Sequence, residues 1–258
     1  MKKDRPSFIN IEHERKETTF INSRSFFALM YTHQKTGIYE IDAFLDGGLE
    51  TDCITALFGP PGSGKTNLCT LLVNHLLFEN KKVCYIDTEH SFSMNRLLQV
   101  NPKAEQYLEH LLFLKPKNFE DQTRIISSLA EKLPEIVEII IIDTLTMLYR
   151  LEQGTDNQKT LTQELAKQLK ALQLLQKERK IPIIVVSQTY QSLSQKHKEV
   201  MLGGEMLKYV AKTIIECKKF TQSYSFRIKK HRSVAMNKEL SYKITQEGIE
   251  VTEKKEEK

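Results

Sequence analysis

The chain has 258 residues, of which 40% are hydrophobic and 28% charged, enough to bury one large core and too ordered a mixture for wholesale disorder. Thirty-eight Lys and Arg face 33 Asp and Glu, a formal charge of +5 that permits contact with nucleic acid without demanding it. The opening MKKDRPSFIN is basic but leads into no apolar core, and no stretch approaches the ~20 apolar residues of a membrane span, so a cytoplasmic protein with no membrane contact is expected.

Residues 1–33 mix charge and apolar side chains without a lasting period and read as an N-terminal arm. Residues 34–252 read as the core, and EKKEEK at 253–258 as a charged tail. The cysteines, Cys53, Cys69, Cys84 and Cys217, form no Cys-x-x-Cys pair and are expected as reduced thiols in that core.

Ile38, Ile41, Phe44 and Leu45 recur at helical spacing ahead of Gly47 and Gly48. CITALFG then reads as a buried strand that runs into Gly59-Pro60-Pro61-Gly62-Ser63-Gly64-Lys65-Thr66, followed by Asn67 and the helical stretch to residue 80. This is G-x-x-x-x-G-K-[ST] in the strand-to-helix setting that a phosphate-binding loop requires. Its backbone N–H groups curl around phosphate oxygens, and the helix aims its positive end at the same anion. Lys65 is expected on the β and γ phosphates and the Thr66 hydroxyl on Mg²⁺, so ATP and Mg²⁺ are the expected ligands.

KVCYIDTE is a second buried strand, SMNRLLQV a short helix, and residues 112–114 a third strand. A helix is predicted over residues 121–132. EIIIIDT shows no polar alternation, the pattern of a strand covered on both faces. Its terminal Asp143 would emerge at the ligand-binding edge of an open α/β sheet and hold Mg²⁺. Glu89 ends the neighbouring strand, where a carboxylate can serve as general base toward an attacking water or cap a loop. A long helix over residues 161–180 leads to IPIIVVSQ, whose Gln188 can touch a γ-phosphate from a strand tip or be an ordinary loop residue. KTIIECKK, YSFRIKKH and LSYKITQEGIEV alternate apolar and polar residues, with turns near Asn237 and Gly248. The fold class is therefore α/β, a mainly parallel central sheet flanked by helices and extended by C-terminal antiparallel edge strands.

In order, the chain reads TGIYEIDAFLDGGLETDCITALFGPPGSGKTN, YIDTEHSFSMNRL, IIIIDTLTMLYR, IPIIVVSQ and GGEMLKYVAKTII. Together these resemble the RecA/RadA recombinase ATPase core, and within it the short archaeal RadB paralogues, over residues 36–250. The resemblance implies a RecA-type P-loop NTPase with Glu89 as catalytic glutamate and Gln188 as the link from nucleotide to a second DNA-binding loop. Arg96 would lie near adenine and ribose. The segments after Arg150 and after Gln188 match the two DNA-binding loops, and Lys196 and Lys198 are the cations of the second. Lys229, Lys230 and Arg232 form a further basic cluster, either a phosphate contact or a solvated face.

The chain also departs from active recombinases. LEQGTDNQKT is not Arg-Gly-rich, the 33 residues ahead of the core cannot hold RadA's helical DNA-binding domain, and neither Phe20-Ile21-Asn22-Ser23 nor Phe26-Phe27-Ala28 matches RadA's Phe-x-x-Ala hook. The resemblance thus implies an ATP- and single-stranded-DNA-binding accessory factor of homologous recombination. It would have weak ATPase and no strand exchange, and would act with RadA and a Holliday-junction resolvase. A filament-forming recombinase, a clock or signalling ATPase of the same fold, and a small-molecule P-loop kinase are the rival readings.

Overall fold

Four consecutive isoleucines need apolar partners on both sides of a sheet, because successive side chains of a strand point to opposite faces. In the computed structural model, Ile140 and Ile142 pack into one core and Ile139 and Ile141 into another. They belong to β6 (Val137–Asp143), whose close neighbours β4 (Lys82–Asp87) and β7 (Ile183–Ser192) divide their side chains in the same way. The structure describes residues 33–154, 157–192 and 198–252, with only the backbone at 191–192 and 198–199. All of these fall in the compact unit Thr32–Lys258. The expected arm through residue 32, the charged tail at 253–258 and the candidate Lys196 lie outside the described residues.

Short elements β1 (His33–Gln34), α1 (Tyr39–Phe44) and β2 (Leu49–Glu50) open the described chain. Next come β3 (Ile54–Gly59) and α2 (Lys65–Phe78), on either side of the glycine-rich loop. After β4, α3 (Met94–Val100) and a 3-10 run at Pro102–His110 lead to β5 (Leu111–Leu114) and α4 (Phe119–Lys132). Beyond β6 lie α5 (Met147–Glu152) and the 22-residue α6 (Gln158–Arg179), then β7, β8 (Lys198–Met201) and α7 (Gly204–Val210). The chain closes with β9 (Thr213–Lys219), β10 (Tyr224–Lys230), β11 (Glu239–Thr245) and β12 (Gly248–Thr252).

Among the described residues the main sheet has the order β12-β11-β10-β9-β3-β7-β6-β4-β5, with β8 paired to β7. β9, β3, β7, β6, β4 and β5 run parallel, and β10, β11 and β12 continue the sheet antiparallel, as expected. Core residues of α4, α5, α6 and α7 cover one face, and those of α1, α2 and α3 cover the other. Among the described residues, no helix is long and apolar enough to cross a membrane. All four cysteines are free and buried.

Two expectations need correction. β7 does not end at Gln188 but continues to Ser192, because Thr189–Ser192 finds an antiparallel partner in Lys198–Met201 that satisfies its backbone groups. The segment read as a loop is therefore the base of a two-stranded arm. Likewise MLYRLE forms the helix α5, so the segment after Arg150 is shorter than its sequence suggested. Six residues make too short a window for periodicity to reveal a helix.

Candidate nucleotide-binding site

The glycine-rich loop is set by close packing as much as by phosphate chemistry. A Cβ on Gly59 would collide with the Cys217 carbonyl of the adjoining strand β9. Gly64 adopts φ +87 as the N-cap of α2, and a Cβ there would sit 2.7 Å from the Tyr242 hydroxyl. Tyr242, on β11, is 1% exposed, stacks on Phe226 at 4.4 Å between ring centroids, and donates to the Ser63 carbonyl at 3.5 Å. The antiparallel extension of the sheet thus forms the floor beneath the loop.

Lys65 is buried, and its ammonium donates to the carbonyls of Gly59 (2.9 Å) and Pro60 (2.8 Å) and to Ser63 Oγ (3.3 Å). Burial lowers its pKa below the ordinary lysine range, while Cys217, Asp143 and Glu89 pull the other way. A lysine held by three neutral oxygens can transfer to phosphate without breaking an ion pair.

Asp143 ends β6 at 1% exposure. Its Oδ2 accepts from the Tyr85 hydroxyl at 2.8 Å, while Oδ1 is buried without a hydrogen-bond partner among the described residues. Burial pushes the Asp143 carboxyl up to about 6, partly offset by the Thr66 and Tyr85 hydroxyls and reinforced by the charges of Glu89 and Asp87. An unpartnered carboxylate oxygen beside the Thr66 hydroxyl fits a hard divalent cation, which prefers oxygen ligands. Thr66 and Asp143 are therefore the residues that would hold Mg²⁺. Asn67 Nδ2, in the same cleft, is another buried polar atom with no partner among the described residues.

Glu89 stands on the adjacent strand tip. Thr88 bridges β4 to β6, its Oγ1 donating to the Thr144 carbonyl at 2.7 Å and its N–H to the Asp143 carbonyl at 3.0 Å. Asp87 accepts the N–H groups of Ser91 and Phe92 and so fixes the turn after Glu89. Glu89 Oε1 takes donors from Thr144 Oγ1 (3.0 Å) and Gln188 Nε2 (2.6 Å). Gln188 reaches it across the tip of β6, the strand that β7 and β4 flank, and lies opposite Gly59 on its other side. The Gln188 carbonyl in turn accepts from Leu202 N–H at 3.0 Å, at the foot of β8.

These residues surround a cleft of about 340 Å³ lined from Pro61 to Asn67 and by Glu89, Ser91, Asp143, Thr144, Gln188 and Ile244. That is within the size of small-ligand sites. The cleft therefore unites Pro61, Gly62, Ser63, Gly64, Lys65, Thr66, Asn67, Glu89, Asp143 and Gln188, with Gly59 and Pro60 behind Lys65. Thr144, Tyr85 and Tyr242 were not anticipated. Thr144 directly follows Asp143 and carried a signal in the sequence, but the tyrosines act across strands far apart in the chain.

Arg96 adjoins the cleft through Asn67. Nε donates to Asn67 Oδ1, one terminal nitrogen to Gln99 Oε1 and the Gln246 carbonyl, and the other to the carbonyls of Thr245 and Gly248. All five guanidinium donors are thereby used inside the protein. Arg96 fastens the β11–β12 turn to the start of α2, and only its flat face is left for a base.

Of the basic candidates, Lys230 donates to the carbonyls of Lys208 and Ala211 at the end of α7. Arg232 is fork-bound to Asp52 and pairs with the buried Glu50 at 3.0 Å. Those two cations are committed to folding contacts. Lys229 lies 3.7 Å from Glu216 and is partly exposed, and the Lys198 side chain is outside the described residues. A second, open cleft of about 550 Å³ lies where α5 meets the β7–β8 arm, with Tyr149, Arg150, Tyr190 and Gly203 on its walls.

The Rad51 family model matches residues 30–252. The chain is similar to proteins named DNA repair and recombination protein RadB. Identity is 31% to that of Methanobrevibacter smithii, over 81% of this chain and 92% of the relative. It is 33% to that of Methanococcus maripaludis, over 83% and 98%, and 32% to that of Thermococcus kodakarensis, over 84% and 99%. A RadB recombinase crystal structure superposes with a TM-score of 0.72 at 28% identity, covering 85% of this chain and 99% of that one.

Proposed function

The chain belongs to the Rad51 family, in the company of the RadB proteins of DNA repair and recombination, and on that premise we propose that it is an ATP-dependent DNA-binding accessory factor of recombination. In this reading it binds Mg·ATP, hydrolyses it weakly, holds single-stranded DNA and acts with or regulates a RadA recombinase, with a Holliday-junction resolvase as a further partner. The observation that carries the reading is the bridge from Glu89 through Gln188 to Leu202, which joins the phosphate cleft to the β7–β8 arm.

The residues divide the work as follows. Lys65 leaves the Gly59 and Pro60 carbonyls for the β and γ phosphates. The N–H groups at the start of α2 take the phosphates behind them. Mg²⁺, when bound, neutralises charge on the phosphate oxygens, and Thr66 and Asp143 hold it. Thr144 and Gln188 both donate to Oε1 of Glu89 and so orient its carboxylate. Oε2, which has no hydrogen bond among the described residues, is the oxygen placed to take a proton from water. A γ-phosphate competes for the Gln188 amide and shifts the arm, a population shift driven by differential contacts. The open cleft with Arg150 and the exposed Tyr190 offers charge and stacking surface to a single strand.

Calorimetry on Lys65→Ala tests the nucleotide reading. The parent should bind Mg·ATP and the variant should lose at least about two orders of magnitude in affinity, as removal of a charge-assisted phosphate contact implies. Equal affinity in both proteins would overturn the reading.

A further inference from the structure

We propose that Lys219 is a second lysine of the phosphate site, meeting the terminal phosphate of the bound triphosphate from β9 of the same chain. The inference rests on the nucleotide reading above and adds to it a residue outside the glycine-rich motif.

Register supplies the first argument. β9 runs parallel to β3 with Glu216 opposite Phe58, so the next residues of β9 run beside the loop that leaves β3. The contact between Gly59 and the Cys217 carbonyl marks how tightly the two segments adjoin. Two residues on, an ideal Cβ placed on Gly62 would sit 3.6 Å from Lys219 Nζ. The period of a strand gives the second argument. Ile215 and Cys217 pack into the core on the α2 side, and Lys219 shares their face. It therefore rises on the side where the loop curls and α2 begins.

The neighbouring cations give the third argument. Lys218 and Lys229 both lie 3.7 Å from Glu216. Lys219 is exposed and forms no ion pair among the described residues. A long cationic side chain held against a phosphate loop without an acidic partner is positioned for an anion that arrives with the ligand. The start of α2 cradles the inner phosphates, so the apex at Pro61 and Gly62 faces the outer one. A triphosphate carries more negative charge than one divalent cation and Lys65 neutralise, and that surplus is largest at the terminal group. Lys219 would then discriminate triphosphate from diphosphate.

The test is calorimetric affinity for Mg·ADP and for a non-hydrolysable Mg·ATP analogue, on the parent, Lys219→Gln and Lys219→Arg, with melting temperatures as the check of folding. Lys219→Gln should melt like the parent and weaken the analogue by about three- to tenfold, the scale of one partly exposed ion pair, with the ADP affinity changed by less than about twofold. Lys219→Arg should restore the preference for the analogue. Equal loss for both nucleotides, or no loss for either, overturns the proposal. A parent that binds neither nucleotide removes the nucleotide reading itself and this proposal with it. Unchanged nucleotide affinities with weaker binding of a single-stranded oligonucleotide would reassign Lys219 to a nucleic-acid backbone.

Discussion

Asp143, proposed above to hold Mg²⁺, illustrates how a buried carboxylate burdens the protein that carries it. Its carboxyl titrates near 6 in the fold because burial disfavours the charge. A raised carboxyl pKa means that the folded state holds the proton more tightly than the unfolded chain, whose aspartate titrates near 3.8. The associated stability is fully present below about pH 4 and is lost as pH rises through 6. At neutral pH the ligand-free protein therefore carries a costly buried charge, and Asp143→Asn should stabilise it by about 2–3 kcal/mol in denaturant unfolding at pH 7.5. The same variant should lose the Mg²⁺ dependence of ATP binding. A variant less stable than the parent at pH 7.5 would contradict this account of Asp143. Glu89 is a separate case. Glu89→Gln keeps its shape and removes the base, so nucleotide binding should persist while turnover falls by roughly 10²–10⁴-fold. Equal steady-state turnover in the two proteins would give Glu89 another role.

At the scale of elements, the glycine-rich loop and the buried strands were legible because each is a local pattern. The loop is a fixed spacing of glycine, lysine and threonine, and Ile139–Ile142 is an apolar run whose two-sided burial follows from strand geometry. The β7–β8 arm was not legible. Its pairing joins Thr189–Ser192 to Lys198–Met201, two four-residue segments too short for alternation to declare either as a strand. Tyr242 beneath Ser63 was hidden for a related reason, since a contact between residues 179 positions apart leaves no periodic trace. The cluster at Lys229, Lys230 and Arg232 looked alike in sequence, yet its members separate once acidic partners are located. Glu50 is 3% exposed and pairs with Arg232. Arg232→Ala leaves that carboxylate buried with its main cationic partner gone, and should destabilise the fold by about 3–5 kcal/mol in chemical denaturation. A loss under about 1 kcal/mol would return Arg232 to the pool of surface cations.

At the scale of the molecule, the sheet divides into two working halves that meet where β9 pairs with β10. The parallel half carries Asp143, Glu89 and Gln188 at one edge, and the antiparallel half supplies the floor under the loop through Tyr242. Arg96 ties the far hairpin to α2, so the C-terminal strands and the glycine-rich motif are fastened to one another. In the proposed function, phosphate occupancy is transmitted by Gln188 to the β7–β8 arm. The most direct measurement is the affinity for a single-stranded oligonucleotide at fixed salt, in the presence of a non-hydrolysable Mg·ATP analogue or Mg·ADP, for the parent and Gln188→Ala. The parent should bind the oligonucleotide at least about fivefold differently in the two nucleotide states, a coupling of about 1 kcal/mol, and Gln188→Ala should bind it equally in both. A parent that binds both nucleotides yet holds the oligonucleotide with one affinity throughout, or a Gln188→Ala variant that keeps the full difference, would contradict the account.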